Sequence, residues 1–282
     1  MYLDLHQHTI NSDGLFTPRE LVLASREVGI TMLAITDHNY ATDLEELRKE
    51  FPDMTLITGA EMSAVYTKRD GSKTEVHVVS LGFDPKNEGM QALIARNRPD
   101  RRPYIEKILA ALRACGVDLG TYEYLRDKYS KTFHLGRGHV AAELVEQGYA
   151  KDADEAFDEY IGAFGKRRAY VKSGLEYADL ETVIRTVHAA GGCCVLAHLY
   201  YYRMDEAEQR ALLDDFKGLG GDGMEVFYGA YNEAQTEQLR GYADLYGLMY
   251  SAGSDHHGRL NEDRLDHGFL ISDCAELVGL LG

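Results

Sequence analysis

Short apolar runs alternate with amphipathic stretches along much of this chain, and this alternation limits the folds that it can adopt. We predict strands at 2–6, 31–36, 55–60, 76–82, 193–197, 223–228 and 248–254. We predict helices at 17–28, 41–50, 179–190, 205–217 and 232–245. Strand–helix alternation is typical of a parallel sheet or barrel. Seven strands are the number expected for a slightly irregular relative of the (β/α)8 barrel.

One region interrupts the alternation. Residues 62–82 are predicted to form a β-hairpin that turns at Arg69-Asp70-Gly71. From about Pro85 to Lys172 the sequence is helical, charged and rich in tyrosine, and it contains no convincing barrel strand. We therefore expect a barrel domain formed by 1–84 and 173–282. Residues 85–172 are expected to form an inserted helical cap subdomain over the C-terminal face of the barrel.

Charge and composition limit the molecules that this protein is expected to bind. The chain has 282 residues, of which 45% are hydrophobic, so it can bury a large core. Its 46 Asp and Glu residues exceed its 30 Lys and Arg residues, which gives a formal net charge of −16. Such a surface repels a long polyanion such as duplex nucleic acid. A short nucleotide can still bind if a metal cluster and a few arginines make one pocket positive.

The start of the chain and its cysteines indicate an intracellular protein. There is no long apolar run, and Asp4 and His6 interrupt any signal-peptide pattern. The four cysteines form no CxxC pair, and Cys193 and Cys194 lie in an apolar run that is typical of buried thiols. We expect a soluble, cytoplasmic protein with no membrane partner.

Imidazoles and carboxylates stand at or near the ends of the predicted strands. His6 and His8 are two residues apart on one strand, so both side chains project to the same face. The full set comprises His6, His8, Asp13, His38, Glu61, His77, His198, Asp255 and His257. Each residue alone has an ordinary structural explanation. Together they predict a metal site, because the C-terminal ends of barrel strands converge and because these side chains are ligands of divalent metals.

These residues also carry a resemblance to a known family, the PHP family, named for polymerase and histidinol phosphatase. The similar motifs are His6-Gln7-His8, Asp13, Asp37-His38, Glu61, His77, His198 and Asp255-His256-His257. Gly136-Arg137-Gly138-His139, in the insertion, is similar to one branch of the family. That branch contains nucleoside 3′,5′-bisphosphate phosphatases and exoribonucleases that trim short RNA from the 5′ end.

The resemblance implies a distorted (β/α)7 barrel with a trinuclear metal site. Two to three divalent ions are implied, with Mn as the first choice and Fe, Zn or Mg as alternatives. The first metal position would use His6, His8, Glu61 and Asp255. The second would share Glu61 and add His77 and His198. The third would use Asp13, His38 and His257.

Further residues are expected to act around the metal ions, which would activate water for attack on phosphorus. Asp37 is expected to accept a hydrogen bond from an imidazole or from a metal-bound water. His139 is expected either to protonate the leaving group or to bind the phosphate. Arg137, and more weakly Arg168, are the expected phosphate ligands. Three tyrosines follow His198, and one of their rings is expected to stack on a nucleobase. Tyr202 is the residue that we predict for this role.

The expected function is hydrolysis of phosphate monoesters of small nucleotides, either a nucleoside 3′,5′-bisphosphate or the terminal nucleotide of a short oligonucleotide. A phosphomonoesterase of the histidinol-phosphate type and a C–N amidohydrolase remain as alternatives. A non-catalytic metal-binding domain is disfavoured by the complete ligand set. The expected partner is a small phosphorylated molecule, and the sequence leaves the oligomeric state open.

Overall fold

The computed structural model describes residues 1–98, 100–129, 135–172, 174, 176–258 and 268–281. Within these residues, eight strands form one sheet in the order β7-β6-β5-β4-β3-β2-β1-β8. The strands are β1 Tyr2–Gln7, β2 Ile30–Ile35, β3 Thr55–Thr67, β4 Lys73–Leu81, β5 Cys193–Leu196, β6 Gly223–Tyr228, β7 Met249–Gly253 and β8 Phe269–Leu270. Strand β8, which has two residues, was not predicted.

Strands β7 and β8 stand at the two ends of the strand order. Both lie beside β1, so the sheet forms a nearly closed barrel. The Asp255 N–H donates to the carbonyl of His6 at 2.8 Å, and the His8 N–H donates to the carbonyl of His256 at 2.9 Å. Strands β1 to β3 are parallel to one another, and so are β5 to β7. The prediction of an α/β barrel is therefore confirmed.

The predicted hairpin is also confirmed, and it reverses one strand of the barrel. Strands β3 and β4 pair antiparallel from Gly59 opposite Leu81 to Thr67 opposite Lys73. Strand β4 is also antiparallel to β5. Glu61 was expected at the end of its strand, but β3 continues to Thr67 because the hairpin extends beyond the barrel.

Helices surround the sheet and begin where the sequence supplies caps. In the first helix, the Thr17 hydroxyl accepts from Glu20 N at 3.2 Å, and the Glu20 carboxylate accepts from Thr17 N at 2.8 Å. The helices are α1 Pro18–Glu27, α2 Glu45–Glu50, α3 Glu88–Asn97, α4 Arg102–Ala114, α5 Tyr122–Lys128, α6 Arg137–Glu146, α7 Ala153–Ala156, α8 Leu180–Ala189, α9 Glu206–Gly218, α10 Glu233–Tyr246 and α11 Ala275–Leu281. Helix α7 continues into a π-helical turn at Phe157–Ile161.

The buried apolar side chains form separate clusters in the barrel and in the insertion. Helices α4 to α6 pack around one cluster, which contains Ile108, Leu125 and Leu144. Met90 and Leu93 of α3 belong instead to a barrel cluster that includes residues of α8, α9 and α10. The division at residues 85 and 172 stays a prediction, and the packing favours a cap whose own core begins with α4.

Candidate metal centre

The structure brings all nine predicted ligands together around one carboxylate, that of Glu61 in β3. Glu61 Oε1 lies 2.7 Å from His77 Nδ1 and 2.8 Å from His198 Nε2. Its other oxygen, Oε2, lies 2.8 Å from His38 Nδ1. Oε2 also lies 3.4 Å from the Nε2 atoms of both His6 and His8. Each oxygen therefore faces a different set of imidazoles, as required of a carboxylate that bridges two cations.

Two aspartates complete the ring of donors. Asp255 Oδ1 lies 2.9 Å from His8 Nε2 and 3.4 Å from His6 Nε2. Asp13 Oδ1 lies 3.3 Å from His257 Nε2 and 3.7 Å from His38 Nε2. Three groups at this centre have ligand atoms within 4.8 Å of one another: His6, His8, Glu61 and Asp255; His8, Asp13, His38 and His257; and His38, Glu61 and His77.

These groups resemble the three implied metal positions without matching all of them. The first group is the same as the first implied position. The second adds His8 to the implied third position, and the third group contains His38 where His198 was implied. The assignment of ligands to individual ions therefore stays a prediction.

The donor atoms fit divalent cations. His6, His8 and Glu61 have no exposed surface. His6 Nε2 and His8 Nε2 both face Glu61 Oε2 at 3.4 Å without a well-aligned hydrogen bond within the described part of the chain. Buried polar atoms are normally hydrogen-bonded, so donor atoms that face one another in this way fit a cation held between them. A set of imidazole and carboxylate donors suits Mn, Fe and Zn.

The imidazoles at the centre lower the pKa values of its carboxylates. Burial opposes ionisation of Glu61, but the charges of His38, His77 and His6 outweigh it and hold the Glu61 pKa well below its ordinary value. The pKa of Asp255 is also well below its usual range, because His6 and His257 outweigh the effect of burial. These carboxylates are anionic at neutral pH and are ready to bind cations.

Glu225, which the sequence reasoning missed, orients two of the ligands. Its Oε1 lies 2.6 Å from His6 Nδ1, and its Oε2 accepts a hydrogen bond from His198 N at 2.7 Å. A carboxylate on the second ring nitrogen fixes the tautomer and direction of a metal-binding imidazole. The signal was present, because Glu225 is a charged residue inside the apolar strand β6 and a buried charge needs a partner.

Two other polar side chains also support the ligands. The Tyr228 hydroxyl donates to Asp255 Oδ2 at 2.7 Å. Glu75 Oε1 lies 3.2 Å from His77 Nε2. Burial opposes ionisation of Glu75, but His77, Arg137 and Arg101 outweigh it and lower the Glu75 pKa to about 2.

The backbone is strained where ligands leave the sheet. His198 and Asp255 have positive φ angles of 28° and 56°, and Asn39, which follows His38, has a φ of 50°. Non-glycine residues in this region cost on the order of 1–3 kcal/mol and cluster at functional sites. The strained residues therefore lie at the same place as the predicted metal ligands.

Asp37 positions the loop that carries Asp13. Its Oδ1 accepts from Thr9 N at 2.8 Å and from the Ser12 hydroxyl at 2.6 Å. Its Oδ2 accepts from the hydroxyls of Thr9 at 2.7 Å and Thr42 at 2.9 Å. The predicted contact of Asp37 with an imidazole or a metal-bound water stays a prediction, and these four bonds support a structural task.

His139 lies at the start of α6, close to the centre. Its Nδ1 accepts from Gly136 N at 3.0 Å, so a neutral ring carries its hydrogen on Nε2. Loss of that hydrogen to a leaving group would leave an imidazolate, so the geometry favours the phosphate-binding alternative for His139. A Cβ added to Gly136 would lie 3.9 Å from Asp13 Cβ, which shows how closely the cap approaches the metal ligands.

The predicted arginines have different surroundings. Arg137 at the start of α6 acts electrostatically on Glu75, and its guanidinium lies 5.8 Å from the Phe157 ring centroid. Arg168 instead contacts Glu159 at 3.4 Å and lies 5.7 Å from the Tyr160 ring centroid. The role of Arg168 as a phosphate ligand stays a prediction, and its contacts within the cap and its half-exposed side chain favour it less than Arg137.

Arg98 and Arg101 belong to the basic residues of the insertion in the sequence, but they were not predicted as phosphate ligands. They line a cleft together with Asn11, Ser12, Asp13 and His38. Arg98 donates to the carbonyl of Asn11 at 2.6 Å and lies 4.1 Å from the Tyr40 ring centroid. Nothing local in the sequence distinguishes them from the other cap arginines.

The stacking role of Tyr202 stays a prediction, and its surroundings favour a neighbouring ring. The Tyr202 hydroxyl accepts from His77 N at 2.8 Å and donates to the carbonyl of Ala197 at 2.9 Å. These bonds hold Tyr202 as part of the framework. Tyr201 is instead 54% exposed, and its ring centroid lies 5.6 Å from that of His198. Tyr201 is therefore the better placed of the two for stacking.

Comparison with known proteins agrees with this geometry. Residues 4–173 match the PHP domain family. The chain is 34% identical to a 5′-3′ exoribonuclease of Haemophilus influenzae, over 90% of this chain and 89% of that protein. It is 31% identical to a 3′,5′-nucleoside bisphosphate phosphatase of Chromobacterium violaceum, over 90% of this chain and 87% of that protein.

Solved structures also resemble this chain over nearly its whole length. A Chromobacterium violaceum protein described as an amidohydrolase, with bound sulfate, superposes with a TM-score of 0.81 at 28% identity and covers 99% of this chain and 97% of its own. A candidate metal-dependent phosphoesterase from Bifidobacterium adolescentis gives 0.77 at 26% identity, with 99% and 96% covered. The chain therefore belongs to the PHP domain family and is a metal-dependent phosphoesterase.

Proposed function

We propose that this enzyme hydrolyses a phosphate monoester of a small nucleotide, with a nucleoside 3′,5′-bisphosphate as the preferred substrate. The observation that carries this proposal is a cleft in which arginines face metal-ligand residues. Arg98 and Arg101 line the same cleft as Asp13 and His38. Bisphosphate hydrolysis is also what the Chromobacterium violaceum relative is named for.

The nine residues around Glu61 would hold two to three divalent ions, Mn²⁺ first among them. When bound, such ions lower the pKa of water and neutralise the charge that develops on a phosphoryl group. Glu61 would set the spacing between ions, because its two oxygens face different imidazoles. Glu225 and Tyr228 would keep His6 and Asp255 in the orientation that ligation needs.

The arginines would bind the phosphate groups. Burial lowers the pKa of Arg98 to about 10, so its guanidinium is still charged at neutral pH. Arg101 Nε is buried and has no hydrogen-bond partner in the ranges that the structure describes. Guanidinium groups bind phosphate oxygens in bidentate fashion, so Arg101 can satisfy this atom on a substrate. Arg137 and His139 at the start of α6 are candidates for a second phosphate.

Substrate comparison tests the proposal directly. We expect kcat/KM at equal Mn²⁺ to be highest for adenosine 3′,5′-bisphosphate, compared with a short RNA and with histidinol phosphate. A preference of more than tenfold for histidinol phosphate would overturn the nucleotide assignment. Absence of activity on all three phosphate esters, with amide hydrolysis instead, would favour the C–N alternative.

Elemental analysis tests the metal centre separately. We expect two or three divalent ions per chain after expression in Mn²⁺-supplemented medium. Fewer than one ion per chain under those conditions would contradict the cluster.

A second candidate function is trimming of short RNA from the 5′ end. It is favoured by the 34% identity to the Haemophilus influenzae exoribonuclease. The net charge of −16 argues against tight binding of a long RNA backbone, so the terminal nucleotides would supply most of the contacts.

A further inference from the structure

A buried amide at the end of α3 links the cap connections to the barrel. Asn97 has no exposed surface. Its Nδ2 donates to the carbonyl of Ser63 at 2.7 Å and to Asn39 Oδ1 at 3.2 Å. Its Oδ1 accepts from Ala178 N at 2.9 Å. Both amide hydrogens and the oxygen are therefore used, which fixes the side chain in one orientation.

The partners of Asn97 lie beside the metal ligands. Asn39 follows His38, and its N–H donates to the carbonyl of Glu61 at 2.8 Å. Ser63 N donates to Asn39 Oδ1 at 3.0 Å, and Asn39 Nδ2 donates to the Ser63 hydroxyl at 3.1 Å. The network therefore joins the segments that carry His38 and Glu61 to the end of α3.

The same residue stands at both connections of the cap. Arg98 follows Asn97 directly, and Arg101 is four residues beyond it. Ala178 lies on the chain that returns from the cap to α8, and its carbonyl accepts from Val65 N of β3 at 2.9 Å. A change at Asn97 would loosen the outgoing and the returning chain together.

We propose that Asn97 is a positioning residue that sets the place of Arg98 and Arg101 over the metal centre by anchoring both cap connections to Asn39 and Ser63. The inference rests on the proposed binding of substrate phosphate by the two arginines. Asn97 itself has no exposed surface and takes no part in the chemistry. Its effect should therefore appear in phosphate binding and not in the chemical step.

Asn97→Ala tests this in the full-length, Mn²⁺-loaded enzyme, with Asn87→Ala as the matched control. Asn87 caps the other end of α3 by accepting from Met90 N at 3.1 Å. For Asn97→Ala we expect KM for adenosine 3′,5′-bisphosphate and the Kd of inorganic phosphate to rise about tenfold, with kcat and metal content nearly unchanged. Asn87→Ala should leave KM and Kd unchanged even if it lowers Tm.

A double-mutant cycle separates positioning from a general loss of structure. In an Arg98→Ala, Arg101→Ala background, Asn97→Ala should change the Kd of phosphate by less than about twofold, because the groups it positions are gone. A full, additive effect would overturn the inference. So would a fall in kcat or metal content with KM unchanged, which would assign Asn97 to the metal centre.

Three further outcomes are also decisive. If Asn97→Ala does not fold, Asn97→Asp replaces it, because the carboxylate can still accept from Ala178 N but cannot donate to Ser63; an unchanged phosphate Kd in that variant would contradict the inference. If the wild-type enzyme binds phosphate but does not hydrolyse the nucleotide, the proposed substrate is rejected. The effect of Asn97→Ala on the phosphate Kd still tests the role of Asn97. Wild-type enzyme that binds no phosphate would overturn both.

Discussion

Glu225 contacts two of the predicted metal ligands with one carboxylate, at the His6 ring and at the His198 backbone. We predict that Glu225→Gln lowers metal affinity by roughly 10–100-fold, the usual effect of losing a carboxylate behind a metal-binding histidine. Titration of Mn²⁺ against a chelator measures it. Glu233→Gln, at an exposed position at the start of α10, is the control and should bind metal normally.

Arg101 and Arg168 offer a second comparison at the level of residues. Arg101 lines the metal cleft, whereas Arg168 contacts Glu159 in the cap. We predict that Arg101→Ala weakens substrate binding by on the order of 1.5–3 kcal/mol, the value of a charge-assisted hydrogen bond. Arg168→Ala should leave KM within about twofold, because Arg168 pairs with Glu159 in the cap and its side chain is half exposed. A larger KM effect from Arg168→Ala would move the phosphate site deeper into the cap.

Among the secondary-structure elements, α5 and α6 of the cap are held together by one buried carboxylate. Glu143 has no exposed surface and accepts from Lys128 Nζ at 2.6 Å, Gln147 Nε2 at 2.6 Å and the Tyr124 hydroxyl at 3.1 Å. Burial opposes ionisation, but the bonds from Lys128 and Gln147 outweigh it and hold the Glu143 pKa below its ordinary value. This carboxylate therefore stabilises the cap in its charged form.

We predict that Glu143→Gln lowers the free energy of unfolding by about 1.5–3 kcal/mol at pH 7, because hydrogen bonds to a charged group are weakened. The folded-state pKa is depressed, so this stability is fully present above the unfolded-state pKa and is lost as the pH falls through the folded-state pKa. The difference between wild type and variant should therefore shrink on acidification below about pH 4.5. Urea unfolding at several pH values measures it.

Glu146→Gln is the matched control for this experiment. Glu146 lies on the same helix and contacts the same lysine at 2.8 Å, but its side chain is 64% exposed. Its loss should cost no more than about 1 kcal/mol. Equal destabilisation by the two variants would show that burial of Glu143 does not strengthen its ion pair.

The β3–β4 hairpin brings together Glu61 and His77, two predicted ligands of the candidate metal centre. Its register sets Ser63 opposite His77, which brings the His77 ring to Glu61 from an antiparallel strand. A barrel of parallel strands alone would place ligands only at strand ends. The hairpin also carries Ser63, whose carbonyl accepts a hydrogen bond from Asn97 at the end of α3.

For the molecule as a whole, the net charge of −16 is expected to select small substrates. We predict a shallow salt dependence of kcat/KM for adenosine 3′,5′-bisphosphate, because only two phosphates are engaged and each contributes roughly 0.7 or less to the logarithmic slope. Assays from low to high KCl at constant Mn²⁺ measure it, with long single-stranded RNA as the comparison. Faster cleavage of long RNA, falling steeply with salt, would show that the charge argument fails and would favour the exoribonuclease function.

In the described part of the chain, helices are also too short and too polar for any of them to cross a bilayer. The longest, α10, has 14 residues and includes charged side chains along its length.

Features that depend on local pattern could be predicted from the residues alone. The alternation of apolar and polar residues predicted the strands and flanking helices, because side-chain periodicity reports which face is buried. Residue type and position relative to the strands indicated a metal centre and the PHP family. The turn residues at 69–71 predicted the hairpin, although not that β3 would continue past Glu61.

Contacts between distant parts of the chain became visible in the folded structure alone. Glu225 contacts the predicted ligand His6, Arg101 lines the pocket with Asp13, and Asn97 contacts Ser63. Tyr201 is more exposed than Tyr202. These outcomes depend on how the barrel closes and where the cap packs. Contacts between residues far apart in sequence leave no periodic signal in the chain, so the same arginine or tyrosine looks alike whether it faces solvent or the cleft.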